Sequence, residues 1–80
     1  MSRVRTAALD RFHEAVGQRI WQAREEAGLT QPKLADLAET TLSTIQKAED
    51  GITCSLYVLA KIAHELDCTL DELVPVDALT

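Results

Sequence analysis

Residues 31–51 read QPKLADLAETTLSTIQKAEDG, from Gln31 to Gly51. Leu34, Ala35, Leu37 and Ala38 recur at the spacing of one helix face. Glu39-Thr40-Thr41 interrupts that pattern. Ile45 and Ala48 resume it on a second short helix, which stops at Asp50-Gly51. Two helices joined by so short a turn must cross closely, and only a small residue at the crossing lets them do so. Ala35 is the residue placed there.

The pattern extends in both directions. Upstream, Leu9, Phe12, Val16, Ile20, Ala23 and Ala27 recur every three or four residues, which predicts one long helix from Thr6 or Ala7 to Ala27. Gly28 is its C-cap. Thr30 is a good N-cap for the next helix, with Pro32 tolerated in the first turn. Thr41 caps the third helix, expected over Leu42–Glu49. Downstream, Ser55 caps a fourth with the stripe Leu56, Leu59, Ile62, Ala63 and Leu66. Thr69 caps a short fifth, whose first-turn acids Asp71 and Glu72 suit the helix dipole, and Pro75 closes it. The expectation is an all-α fold of five helices and no strand. The chain is expected to form one domain over 1–80, with an N-terminal extension at 1–15, the paired helices at 31–50 and a tail at 74–80.

A helix–turn–helix pair of this kind seats its second helix in the DNA major groove. The chain resembles the phage repressor/Cro-type helix-turn-helix family, also called the XRE family. The resemblance runs from about Val16 to Leu73. It is carried by Gly17, Ile20, Arg24-Glu25-Glu26-Ala27-Gly28-Leu29-Thr30-Gln31, Leu34-Ala35, Thr44-Ile45, Glu49, Gly51, Leu56, Leu59, Ile62-Ala63, Leu66 and Asp71-Glu72-Leu73. It implies a DNA-binding transcriptional regulator, a repressor or autoregulator, whose third helix reads base edges.

On that helix Thr41, Leu42, Ser43, Thr44, Gln46 and Lys47 become the expected DNA-contacting residues. Hydroxyls suit several bases, Leu42 suits a thymine methyl, and Lys47 suits a guanine or a phosphate. The resemblance also implies that Gln31 contacts the DNA backbone and braces the third helix. Lys33 and Arg19 are expected phosphate contacts. Arg24 and Glu49 are implied to form a partly buried ion pair that ties the first helix to the end of the third. Family members commonly pair through their C-terminal part, and Leu70, Leu73, Val74, Val76 and Leu79 are an apolar set there that suits a homodimer interface. Trp21, off the first helix's core stripe, is a rival.

The chain departs from the family in three places, one being residues 1–15, which extend beyond the family's core and either lengthen the first helix or form a basic arm. Glu39 stands where the turn usually has Gly, and a non-Gly residue at positive φ costs on the order of 1 kcal/mol, so the turn is either strained or shaped differently. Ile52-Thr53-Cys54 lacks the basic residues and the Pro often found there, which argues against a phosphate contact from that loop.

Charge complicates the reading. The net is −5, whereas DNA-binding domains are mostly basic. Residues 1–33 hold six basic residues against four acids, a net of +2, while residues 34–80 hold Lys47 and Lys61 against nine acids, a net of −7. Local charge governs phosphate contact, so a remote acidic side is compatible with binding. The acidity also keeps open an antitoxin-type reading with a toxin as protein partner, or an interaction module of the same fold with weak DNA binding.

Other classes find little support. Eighty residues make a modest core for which a partner subunit is often needed. No apolar run approaches the about 18 residues of a membrane span, and no secretory signal is legible, so a cytoplasmic location is expected. Two cysteines make no disulfide framework. His64 and Cys68 are four apart on a helix, too thin a set for a metal site. No nucleophile–acid–base constellation is legible. No enzyme activity, metal or cofactor is therefore expected.

Overall fold

The computed structural model describes residues 7–79, with the side chains of 78 and 79 left aside. Its helices are α1 (Ala7–Glu26), α2 (Gln31–Leu37), α3 (Leu42–Glu49), α4 (Leu56–Glu65) and α5 (Leu70–Leu73), followed by a 3-10 turn at Val76–Leu79. No strand occurs among the described residues. Residues 1–6 of the N-terminal extension lie outside that range, and residues 7–15 form the first turns of α1.

Local chemistry sets the helix starts. The Thr30, Thr41, Ser55 and Thr69 hydroxyl oxygens each accept a backbone N–H in the first turn of the helix they precede. Glu72 returns the bond to Thr69, completing a capping box. One device ends α1 to α4. At each end the N–H two residues past the cap reaches back to a carbonyl five residues earlier, as in Thr40→Ala35 at 2.9 Å and Ile52→Lys47 at 2.9 Å. That turn requires a positive φ. Gly28 and Gly51 supply it freely, while Glu39 (φ 57°) and Asp67 (φ 55°) adopt it against the Cβ penalty.

The core draws Val16 and Ile20 from α1, Leu34, Ala35 and Ala38 from α2, Ile45 and Ala48 from α3, Leu59, Ile62 and Ala63 from α4, and Leu73 from α5. Ile20, Leu34, Ile45, Ile62 and Leu73 are the largest fully buried side chains, each stabilising by about 1.5–3 kcal/mol relative to exposure. Ala35 is buried where α2 packs on α3. The glycine at 17 makes the closer approach. A Cβ there would stand 2.5 Å from the Glu49 carbonyl oxygen and 2.7 Å from that of Ala48. Hence α1 and α3 cross backbone to backbone.

Several stripe residues fall elsewhere than expected. Leu9 is exposed, because the first turn of α1 projects past the core, and Ala27 lies in the turn after the helix. Leu37 is only half-buried. Leu56 is 74% exposed, because the first residue of α4 precedes the turn that meets the core.

Candidate nucleic-acid interface

The surface around α3 is organised by a buried network at its C-terminal end. Arg24 reaches Glu49 with both arms of its fork, Nε to Oε2 at 2.6 Å and Nη2 to Oε1 at 3.0 Å. Its Nη1 donates to the Leu29 carbonyl at 2.7 Å and to Glu25 at 3.2 Å. The Gln31 amide donates to Glu49 Oε1 at 2.9 Å. The Arg24 and Glu49 side chains are 7% and 4% exposed, so neither charge is left to water. The Glu49 hydrogen bond holds the guanidinium above its already high ordinary pKa, against the opposing pull of burial. Desolvation offsets much of the attraction in such a pair. What the pair supplies is geometry: α1, the start of α2 and the end of α3 meet at one carboxylate.

Glycines complete this junction. Gly17 lies against the last-turn carbonyls of α3, and a Cβ on Gly51 would stand 2.9 Å from the Glu14 Cα. Sequence reasoning took Gly17 only as a family match. A glycine inside a helix costs about 0.5–1 kcal/mol relative to Ala, so its presence in α1 was itself a signal of close approach.

The outward face of α3 is open along its length. Leu42, Ser43, Gln46 and Lys47 are exposed and share one side of the helix, with Leu42 at 39%. Thr41 and Thr44 are partly engaged: the Thr41 oxygen accepts the Thr44 N–H at 3.1 Å, and the two hydroxyls are 2.9 Å apart. Lys33 is exposed in the first turn of α2, close in sequence to Gln31. The structure thus brings Gln31 to the foot of α3 and leaves the polar face of that helix outward.

Two expected placements are corrected. Arg19 points to the other side of α1, where its Nη1 donates to the Glu72 carbonyl at 3.2 Å. It lines a cleft with Asp67, Cys68 and Glu72 and does not join Gln31. Leu73 is 1% exposed, because α5 packs against both α1 and α4. It fills the chain's own core and has no surface to offer a partner. Of the remaining apolar C-terminal set, Leu70 is 40% exposed, Val76 is 59% exposed and Val74 is half-buried. The Leu79 side chain lies outside the described ones.

A helix-turn-helix family model matches residues 22–73. No curated protein sequence matches the chain. Among solved structures, it is similar to the restriction-modification controller protein C.AhdI from Aeromonas hydrophila. That likeness has 35% identity and a TM-score of 0.71, and covers 85% of this chain and 98% of that one. It is also similar in fold to the clp gene regulator ClgR from Corynebacterium glutamicum, at 24% identity and a TM-score of 0.74, covering 84% of this chain and 71% of that one.

Proposed function

Since the chain belongs to the phage repressor/Cro-type (XRE) helix-turn-helix family and is a DNA-binding transcriptional regulator, we propose that it acts as a cytoplasmic homodimeric repressor or autoregulator on double-stranded operator DNA. The observation that carries this reading is the asymmetry of α3, pinned at Glu49 and exposed along Leu42, Ser43, Gln46 and Lys47. A helix held by its far end presents its near end in fixed register, which base reading requires. Gln31 and Lys33 sit where a phosphate contact would set that register. The controller relative, named for restriction-modification, supports a regulatory role of this kind.

Two copies would place two recognition helices about one DNA turn, ~34 Å, apart. Leu70, Val74 and Val76 are the surface we assign to that pairing, and the exposed indole of Trp21 is the rival site. A gel-shift titration against DNA upstream of the chain's own coding sequence, repeated over a salt series, tests the operator reading. Selective, salt-sensitive retardation is expected. Equal, feeble retardation of unrelated DNA would favour the interaction-module alternative, to which the acidic residues of 34–80 lend some weight. Light scattering on wild type and on Leu70→Asp, Val76→Asp tests the assembly. A dimer that becomes monomeric is expected, and a variant still dimeric would move the interface to another face.

A further inference from the structure

We propose that the cleft at the Arg24–Glu49 joint is an effector site for a small organic cation, and that filling it tightens DNA binding. The effect on DNA, unlike the site itself, rests on the operator reading above. The cleft has a volume of about 710 Å³, within the range of small-molecule sites, roughly 300–1,000 Å³. It lies where three helices meet. α1 contributes Gln18, Trp21 and Arg24, α2 contributes Gln31, and α3 ends there in Glu49 and its cap Asp50.

The lining selects for positive charge. Arg24 and Glu49 neutralise one another through a two-pronged bond and are sealed from water. Asp50 is exposed, and its carboxylate has no ion-pair or hydrogen-bond partner among the described residues. It is the one charge of the cleft left uncompensated. Trp21 is 50% exposed at the same cleft. An indole face attracts a cation through its quadrupole, and a carboxylate attracts it through charge. The exposed Gln18 amide oxygen can accept a further N–H. A guanidinium or ammonium group meets all three demands, whereas an anion meets only repulsion from Asp50.

Occupancy reaches DNA through charge. Gln31, which the operator reading sets against the DNA backbone, belongs to the same cleft as Asp50. A free carboxylate there opposes an approaching phosphate chain, and a bound cation cancels it. In a chain of net charge −5, one compensated acid beside the binding face raises affinity for every sequence alike. Asp50→Asn removes the same charge permanently, so it should reproduce the effect with the cleft empty.

The test uses the full chain with Nα-acetyl-arginine amide as probe and its neutral isostere, Nα-acetyl-citrulline amide. Isothermal titration calorimetry should show saturable binding of the arginine probe, with the citrulline probe weaker by about fivefold or more. Asp50→Asn and Trp21→Leu, each shown to fold by circular dichroism, should each lose about two- to fivefold in affinity for the arginine probe. Gel shifts then use a duplex that the wild-type chain selects from a random library. Saturating arginine probe should tighten Kd about two- to fivefold, and Asp50→Asn should do the same with no probe present. Sodium chloride at the probe's concentration should instead loosen binding, which separates a bound cation from ionic strength. Equal binding of the two probes, or wild-type affinity in both variants, overturns the site. Probe binding that leaves operator affinity unchanged overturns the effector role while the operator reading stands. A wild-type dimer that Trp21→Leu makes monomeric in light scattering turns the cleft into a contact between copies and overturns the proposal. A wild-type chain that selects no duplex removes the operator reading and the effect on DNA with it, while the calorimetry still decides the site.

Discussion

At its C-terminal end α3 is held by a two-pronged arginine, a glutamine amide and two glycines that let backbones touch. At its N-terminal end it is held by the single hydroxyl cap of Thr41, and its side chains face outward. The first arrangement is costly to alter because every partner is buried or in backbone contact. The second is cheap to alter because each group has water as an alternative. A regulator that must keep its fold while its reading face varies is well served by concentrating rigidity at one end of the helix.

Mutations at the two ends should separate accordingly. Arg24→Ala strands the Glu49 carboxylate in the interior and should destabilise the fold by about 3–5 kcal/mol, measured by chemical denaturation. A loss of only a few tenths would mean that the Glu49 charge finds water. Gly17→Ala pushes a methyl into the α3 carbonyls and should cost about 1–3 kcal/mol as overpacking. The offending atoms are backbone, so no rotamer change relieves them. A melting temperature at or above wild type would show that α1 can slide on α3.

Changes to the side chains on the outward face of α3 should leave the melting curve in place. Ser43→Ala and Gln46→Ala should each weaken discrimination of the operator by about 1–3 kcal/mol if they read bases. Wild-type affinity in both would move the reading face off α3. Thr41→Ala removes only a cap and should cost about 1 kcal/mol of stability, small beside the Arg24 change. If the two costs proved equal, the contrast between the ends would fail.

The smallest effect is a titration beyond both ends. The Lys61 hydrogen bond at 2.7 Å, with the lysine charge behind it, holds the Glu39 carboxyl below its ordinary pKa. A folded-state pKa below the unfolded one contributes stability above the ordinary carboxylate range, lost as pH falls through the lowered value. In NMR titration, Lys61→Ala should return Glu39 toward the ordinary range. An unmoved midpoint would show that the pair does not persist in solution.

The sequence disclosed whatever depends on near neighbours in the chain. The four hydroxyl N-caps are local chemistry, and each stands where Thr30, Thr41, Ser55 and Thr69 were read. At Glu39 the sequence left a strained turn or a reshaped one, and the structure has the strained turn, with a positive φ. Contacts between elements were harder. Arg19 and Arg24 are both arginines on α1, and no local signal says that one enters the Glu49 network while the other caps the Glu72 carbonyl. The family match located Arg24; only the fold relocated Arg19. Leu56 and Leu73 failed in opposite directions for a shared reason. Periodicity gives the face of a helix but not which of its turns meets the core, so the first residue of α4 lies outside it and the last of α5 within. The grouping of Trp21 with Asp50 at one cleft had no sequence signal, because it depends on how α1 crosses the end of α3.

Trp21 is the chain's sole tryptophan, and it is half-exposed at the rim of the cleft that also contains Arg24, Gln31 and Glu49. An indole in that position is an optical gauge placed beside the joint that orients α3. Its emission wavelength and quenching should respond when the joint loosens, while distant fraying of the C-terminal turn should leave them unchanged. The local opening of this regulator can therefore be followed apart from its global unfolding, without attaching a label.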